Sequence, residues 1–350
     1  MALIARAGEE PGPRAQPRVQ PAAWFVLGLL VVIWSWWAWQ KGGYFETVLL
    51  PGAILLCVGA ALLVLFFPGR PDIRHRRSAV VALAALTALG VWSALSALWS
   101  PAPDVAIGDG QRILVYALAF GLGLWLCNLL GPRMGLGLVP LAAAGAFAGV
   151  ATVIGLLTAD DPRPYLEIDG TLEYPLGYRN ANAAFFAIAL FPALGLAADR
   201  ALDWRARGLA LATATLVLDL AMLSQSRGSL PAGLAAFVVY ALLSPLRLRA
   251  LSWLALAVLP AIGFLPALDA LYSTANDEGL RNAVPELHVA GVAAALTTGV
   301  ALAIGLMAAR FERRLPGLGS VSARWNRAVS GGLAAAAALQ YQKQVAESVS

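Results

Sequence analysis

Ten long apolar runs constrain this chain more than any other feature. Each run holds about 17 to 25 mostly apolar residues, the length that an α-helix needs to cross the hydrocarbon core of a bilayer. Hydrophobic residues make up 59% of the chain and charged residues 13%, so the polar surface is too small to cover a soluble globule. The runs lie near residues 22–39, 48–67, 79–99, 112–130, 134–157, 180–198, 208–224, 230–245, 250–268 and 288–309, and a shorter Ala-rich run near 328–340 would be an eleventh.

The sequence therefore predicts an all-α, polytopic transmembrane helical bundle of about 10 to 11 spans. It divides into a disordered cytoplasmic arm at 1–20, a transmembrane helical domain at 21–340 and a polar tail at 341–350. Both cysteines, Cys57 and Cys127, fall inside predicted spans and are interpreted as small apolar residues.

The basic residues indicate the orientation of the bundle. If the N-terminus is cytoplasmic and the loops alternate, 18 of the 25 Lys and Arg residues lie inside and six lie outside, with Lys343 in the tail. An excess of this kind is typical of cytoplasmic loops. The sequence thus predicts a multi-pass protein of the cytoplasmic (inner) membrane, in contact with the lipid bilayer. Because the basic residues serve as topology signals, no nucleic-acid partner is predicted.

Two predicted outer loops are long and carry acidic and aromatic residues. They run from about Thr158 to Arg179 and from about Asp269 to Glu286. Most residues in such loops are solvated connectors. The chain has no Gly-rich phosphate loop, no paired-cysteine pattern and no His-Glu-x-x-His motif, so neither a metal nor another cofactor is predicted.

Arg227 is the strongest functional lead. It lies in the hexad Ser224-Gln225-Ser226-Arg227-Gly228-Ser229, between two apolar runs on the predicted outer side, where attraction to the cytoplasmic leaflet does not apply. Pro231 follows where helices often begin. Free backbone amides at a helix start, together with the guanidinium, would form an anion site for a phosphate or pyrophosphate lipid head group. The alternative is a snorkelling arginine that only touches lipid phosphates.

The segment Tyr178-Arg179-Asn180-Ala181-Asn182 opens another apolar run on the same predicted side. We expect Asn180 to cap the helix and Asn182 to face a cavity. Arg179 would add a second outward cation. If the two helices are neighbours, Arg179 and Arg227 could clamp a diphosphate.

Two further ionisable residues are candidates for chemistry. Asp219 lies inside a predicted span, where an unpaired carboxylate is costly. It therefore predicts a proton relay, an ion pair within the bundle, or a neutral, hydrogen-bonded acid that holds helices together. His288 opens the last long run on the outer side. It is either the base that removes a proton from an acceptor hydroxyl or an amphipathic interface residue.

Three stretches resemble the superfamily of O-antigen ligases and O-antigen polymerases, which are multispanning envelope glycosyltransferases. They are Trp92-Ser93-Ala94-Leu95-Ser96-Ala97-Leu98-Trp99-Ser100-Pro101 before an acidic outer loop, Tyr178-Arg179-Asn180-Ala181-Asn182-Ala183-Ala184, and Ser224-Gln225-Ser226-Arg227-Gly228. The second and third stretches are moderately specific together and weak singly.

The resemblance implies metal-independent transfer of a glycan from undecaprenyl pyrophosphate to a glycan or lipid acceptor on the outer face. It implies that Arg227 and Arg179 hold the pyrophosphate and that an imidazole activates the acceptor oxygen. The predicted substrate-binding residues are Arg227, Arg179, Asn182, Ser226 and Tyr178, and His288 is the predicted catalytic residue.

The resemblance also implies a large outer region bearing a His-rich or His-Ser segment beyond this length, whereas the chain ends in a polar tail. Either His288 supplies the base, or the chain is a truncated member that lacks the C-terminal catalytic part; we favour the second interpretation. An alternative function is that of a proton-coupled transporter or a non-catalytic lipid-binding membrane protein. Asp219 and the span prolines Pro192 and Pro260 favour that alternative.

Overall fold

A computed structural model describes residues 21–43, 45–66, 77–243 and 247–314. These residues form eleven α-helices and four short 3-10 helices, with no β-strand among them. The predicted all-α polytopic bundle is thus confirmed. The predicted arm at 1–20, the run at 328–340 and the tail at 341–350 lie outside the described residues. In chain order the α-helices are α1 Pro21–Trp39, α2 Glu46–Phe66, α3 Arg77–Leu95, α4 Pro103–Leu130, α5 Val139–Thr158, α6 Arg179–Ala198, α7 Trp204–Leu223, α8 Ser229–Leu243, α9 Arg247–Ile262, α10 Leu265–Asp277 and α11 Val284–Arg314.

Fewer of the described helices reach the length and apolarity of a full span than the apolar runs predict. Eight helical segments of the described chain are long and apolar enough to cross a membrane, namely α1 to α7 and the segment that contains α11. The bent pair α9 and α10 would make a ninth. Helix α8 has 15 residues, and a helix of that length rises about 22 Å, less than a bilayer core of roughly 30 Å.

Helices α9 and α10 meet at an angle of 48° within the run predicted as one span at 250–268. Pro260 lies near the end of α9, and its carbonyl accepts a hydrogen bond from the amide of Gly263 at 2.8 Å. Pro266 lies in the first turn of α10. Two prolines flanking a glycine end one helix and start the next. The loop predicted at 269–286 is shorter than predicted in consequence, because α10 continues to Asp277 and α11 begins at Val284.

Helix α4 begins nine residues before the predicted span at 112–130. Pro103 occupies its first position and Asp104 its first turn, both of which favour a helix N-terminus. The acidic outer loop expected after Pro101 is therefore the start of this helix. Arg112 lies inside α4 and pairs with Asp109 at 3.4 Å.

The chain alternates between two ends of the bundle. At one end, here called the Arg227 end, α5 and α7 finish and α6 and α11 start. At the other, the Glu312 end, α6 and α11 finish and α7 and α9 start. Contacts between distant residues define both ends: Asn182 with Ser224 at the first, and Arg313 with Asp203 at the second. The basic-residue pattern predicts that the Arg227 end faces outward.

Small residues allow the central helices to pack closely. A Cβ atom added to Gly305 of α11 would lie 2.9 Å from the Cα of Gly208 of α7. Likewise, a Cβ added to Gly145 of α5 would lie 2.3 Å from the Cβ of Ala189 of α6. Small residues at helix crossings are the usual means of association in lipid, where dispersion contacts replace the hydrophobic effect. The close packing of α5 with α6 and of α7 with α11 fixes the positions of the two ends of the bundle.

Candidate functional site

The turn that carries Arg227 joins α7 to α8, as the hexad predicts. The turn requires Gln225 to adopt a left-handed backbone conformation, with a φ of 43°. Ser226 is only 7% exposed. Its Oγ accepts a hydrogen bond from the amide of Ser229 at 3.2 Å, and its carbonyl accepts one from the Ser229 hydroxyl at 2.8 Å. Ser226 therefore stabilises the start of α8, and its side chain is already engaged.

Arg227 itself is exposed. Among the described residues it makes no hydrogen bond, ion pair or ring contact, so its positive charge is not neutralised by a neighbour in that part of the chain. Gly228 next to it leaves open space, since a Cβ added there would meet no atom within 4 Å. An uncompensated guanidinium beside the first turn of a helix suits an anionic ligand.

A buried hydrogen bond joins this turn to the start of α6. Asn182 is fully buried, and its Nδ2 donates to the Oγ of Ser224 at 3.0 Å. Ser224 in turn donates to the carbonyl of Leu220 at 3.0 Å. Arg179 precedes Asn182 by three residues and Arg227 follows Ser224 by three, so the two arginine-bearing segments meet at the Arg227 end. The Oδ1 of Asn182 has no hydrogen-bond partner among the described residues.

The cap of α6 differs from the prediction. Asn180 does not cap the helix; its Nδ2 lies 2.5 Å from the hydroxyl of Tyr178, an exposed side chain. Instead Glu167, twelve residues upstream, accepts a hydrogen bond from the backbone amide of Arg179 at 3.2 Å. A carboxylate at this position satisfies an amide without a partner in the helix and complements the helix dipole. Local sequence offers no sign of so distant a cap.

Arg179 is held by two carboxylates rather than left free. Its Nη1 donates to Oδ2 of Asp169, and its Nε lies 3.6 Å from Oε2 of Glu167. Partial burial of Asp169 opposes its ionisation, but hydrogen bonds from Thr171 and the charge of Arg179 outweigh burial and hold the pKa of this carboxyl below its ordinary value. Arg179 therefore differs from Arg227 in being neutralised already.

The loop between α5 and α6 is a compact structure, whereas the sequence predicts mostly solvated connector residues there. An antiparallel bridge pairs Leu166 with Leu172, and the turn between them has Gly170 at φ 78°. The Asp169-Gly170 pair is a known hairpin signal and could have revealed it. Leu172 also donates its amide to the carbonyl of Leu223 in α7 at 3.1 Å.

An open groove of about 810 Å³ lies between this loop and the end of α10. Its walls combine carboxylates with an amide, a guanidinium and apolar side chains, namely Arg163, Leu166, Glu167, Ile168, Asp169, Glu173, Ala275, Asn276, Gly279 and Leu280. Burial, and next the negative charge of Glu167, raise the pKa of Glu173, while Lys41 opposes them. None of the predicted site residues is among the described residues that line the groove. Two lining carboxylates hold Arg179, which connects the groove to the junction of α6 and α7.

His288 lies in the first turns of α11, with its Nε2 3.0 Å from the carbonyl oxygen of Ala159 at the end of α5. A carbonyl oxygen only accepts, so this hydrogen bond requires the proton on Nε2. In the neutral ring, Nδ1 is then the atom that can take up a proton. The structure thus assigns the tautomer but does not bring His288 into contact with Arg227 or Arg179.

Asp219 is fully buried between α7 and α11. Its Oδ2 lies 2.6 Å from the hydroxyl of Thr297, and its Oδ1 has no partner in the described part of the chain. The Thr297 hydroxyl also lies 3.0 Å from the carbonyl of Ala293. A threonine has a single hydroxyl proton, so it can donate to only one of these acceptors. If Asp219 is protonated, both hydrogen bonds can form: Asp219 donates to the Thr297 hydroxyl, and that hydroxyl donates to the carbonyl of Ala293.

Comparison of the chain with known proteins finds no matching family model, no similar curated protein and no similar solved structure. Within the described residues, no three His, Cys, Asp or Glu side chains are grouped as a metal site would need. Function is therefore inferred from the Arg227 end: an exposed arginine, a junction that joins two helix ends, and a polar groove close by.

Proposed function

We propose that this protein is a glycosyltransferase that moves a glycan from undecaprenyl pyrophosphate to a glycan or lipid acceptor on the outer face of the cytoplasmic membrane. The observation that carries the proposal is the buried bond between Asn182 and Ser224, which holds the segments of Arg179 and Arg227 at one end of a membrane bundle. The resemblance of both segments to O-antigen ligases and polymerases supports the same conclusion.

Arg227 is the group we assign to the diphosphate. It is exposed, and none of the described residues competes for its guanidinium, which can bind two phosphate oxygens at once. Arg179 is occupied by Asp169 and Glu167, so its contribution is to order the loop. A lipid carrier suits this place because the surrounding helices are apolar along their length.

The transfer step balances without an added co-reactant. The acceptor hydroxyl oxygen forms a bond to the anomeric carbon of the donor sugar, and the bond from that carbon to the pyrophosphate oxygen breaks. The electron pair leaves with the pyrophosphate, where Arg227 would stabilise the developing charge. The hydroxyl proton goes to a base, and Nδ1 of His288 is the candidate atom.

The proposal is tested with the full chain in proteoliposomes. The probes are radiolabelled polyprenyl pyrophosphate, to measure binding, and a lipid-linked glycan with an acceptor sugar, to measure transfer. We expect Arg227→Ala to weaken binding by roughly 10- to 100-fold, the size of a lost charge-assisted contact, and to abolish transfer.

Arg281→Ala is the matched control, because Arg281 is also an exposed arginine at the Arg227 end but lies outside the junction. It should change binding less than about threefold, since exposed charges act weakly through solvent. Full transfer by a correctly folded and inserted Arg227→Ala variant would refute the proposal. Binding without transfer in the wild type would instead assign a lipid-binding protein that does not catalyse.

A second candidate function is proton-coupled transport, which the burial of Asp219 between α7 and α11 favours. Intramembrane acids of this kind commonly mark proton pathways. In liposomes loaded with a pH-sensitive dye, transport would appear as proton flux that Asp219→Asn abolishes. Equal flux in both proteins would exclude this role and leave Asp219 as a link between helices.

A further inference from the structure

The Glu312 end contains a cluster of three arginines that converge on one carboxylate oxygen. Oε2 of Glu312 in α11 lies 2.8 Å from Nη2 of Arg207, 2.9 Å from Nη2 of Arg249 and 3.4 Å from Nε of Arg200. These arginines come from α7, from α9 and from the segment just after α6. Four elements therefore meet at one anionic atom. We call Arg200, Arg207, Arg249 and Glu312 the Glu312 cluster.

The cluster has more positive charge and more hydrogen-bond donors than its single carboxylate can match. Three guanidinium groups face one carboxylate, which leaves two positive charges in excess. Each guanidinium offers about five N–H donors. The Nε of Arg249 is buried and has no partner among the described residues. Buried donors without partners are costly, so the arrangement favours an additional acceptor.

The side chains are fixed in place yet reachable. Arg207 is only 2% exposed; its Nε donates to the carbonyl of Ala197 at 2.8 Å, and its guanidinium lies 4.7 Å from the ring centre of Trp253. In contrast, the Arg200 side chain is 35% exposed and that of Glu312 is 23% exposed. The cluster thus has a rigid floor and an open rim, as a binding site needs.

We propose that the Glu312 cluster binds a phosphate group, supplied either by the head group of an anionic phospholipid or by free phosphate. A phosphate has enough oxygens to accept from Arg249 and Arg200 while Glu312 keeps Arg207. The site lies at the end of apolar helices, where basic pockets between spans bind phosphate-bearing head groups. This site is separate from the proposed donor site, because it lies at the opposite end of the bundle.

The test uses the purified full chain in a neutral detergent. Native mass spectrometry measures retention of phosphatidic acid against phosphatidylcholine, and inorganic phosphate is added as competitor. We expect the wild type to retain phosphatidic acid preferentially and Arg249→Gln to weaken this binding roughly tenfold, as the loss of one charge-assisted contact predicts. If millimolar phosphate competes with phosphatidic acid, free phosphate is also a ligand. If it does not compete, the ligand is the lipid head group.

Three variants separate binding from a purely structural role. Arg313→Gln is the matched control, because it removes the same charge at the same end from an exposed pair with Asp203. It should change retention less than about twofold. Glu312→Gln removes the negative charge that competes with a phosphate for the arginines and should tighten binding, whereas a purely structural cluster would gain no affinity. If Glu312→Gln does not fold, Arg200→Gln replaces it, since Arg200 makes the longest contact, and it should weaken retention. Equal retention by wild type, Arg249→Gln and Arg200→Gln would overturn the proposal.

Discussion

At the scale of single residues, the Arg227 end is organised by groups that lie far apart in sequence. Glu167 caps a helix that starts twelve residues later, and Asn182 bonds to Ser224 across 42 positions. Arg179 is neutralised by Asp169 and Glu167, whereas no described residue pairs with Arg227. The two arginines that look equivalent in sequence therefore differ in what they can bind.

The hydrogen bonds that Asp169 accepts from Thr171, together with its ion pair with Arg179, predict a pH dependence with a definite sign. A carboxyl whose pKa is lowered by folding contributes stability above its ordinary pKa of 3.8, and this contribution is lost as the pH falls through the folded value. We expect Asp169→Asn to lower the thermal midpoint at neutral pH. The difference from wild type should shrink below pH 3.8.

Asp277→Asn is the control for this measurement, because Asp277 is exposed at the end of α10. It should not show the lower thermal midpoint at neutral pH that Asp169→Asn shows. If the Asp169→Asn difference stayed constant from neutral to acidic pH, the ionised carboxylate of Asp169 would not be its source.

The bond between Asn182 and Ser224 predicts a measurable coupling energy. In a double-mutant cycle of Asn182→Ala and Ser224→Ala, we expect a coupling of about 0.5 to 1.5 kcal/mol in the free energy of unfolding, the range for buried hydrogen bonds between membrane helices. Thr213 provides the control, since its hydroxyl donates within α7 to Leu209. A cycle of Asn182→Ala with Thr213→Ala should show no coupling. Equal coupling in both cycles would contradict a direct bond.

At the scale of elements, α7 and α11 form the central pair of the bundle. They approach closely where Gly208 faces Gly305, and Asp219 bonds to Thr297 further along the same contact. The atom nearest to a Cβ added to Gly305 belongs to the backbone of Gly208, so no change of rotamer could relieve that contact. The spacing of this pair therefore depends on the absence of side chains at two positions.

Gly305→Ala should destabilise the protein, because its Cβ would lie 2.9 Å from the Cα of Gly208. We expect a loss of about 1 to 3 kcal/mol in the free energy of unfolding, as overpacking usually costs. Gly299→Ala is the matched control in the same helix, where an added Cβ meets no atom within 4 Å. That variant should be neutral or slightly more stable, because alanine favours a helix by up to about 1 kcal/mol. Similar effects of both variants would refute the close contact.

At the scale of the whole molecule, the apolar runs predict most helices, but they do not predict how the helices break or cap. Pro260 and Gly263 divide one predicted span, and Pro103 starts α4 within a predicted loop. Hydropathy averaged over a whole span is insensitive to single prolines and glycines, so it does not predict where these helices break or start. The partner of Asp219 is Thr297, 78 positions away, and the carboxylate that caps α6, by accepting from the amide of Arg179, is that of Glu167. These pairings depend on helix packing, which no local pattern encodes.

The orientation of the bundle is tested by labelling single cysteines from outside intact cells. In a chain with Cys57→Ala and Cys127→Ala, we expect Ile168→Cys to react with a membrane-impermeant maleimide, because Ile168 is 89% exposed at the Arg227 end. Arg313→Cys, at the Glu312 end, should react only after the membrane is permeabilised. The reverse pattern would place Arg227 in the cytoplasm and would exclude the proposed outward-facing donor site.

The loop between α5 and α6 is attached to four helices at once. Tyr174 accepts from Trp39 of α1 at 2.7 Å, Glu167 and Leu172 bond to α6 and α7, and the carbonyl of Asp169 accepts from Asn276 of α10 at 3.1 Å. Lifting it would break all of these bonds together, at a cost of roughly several kcal/mol. The groove beneath it should therefore select ligands by a shape that exists before binding. Ligands that fit its fixed rim would bind, and the loop would not close over them.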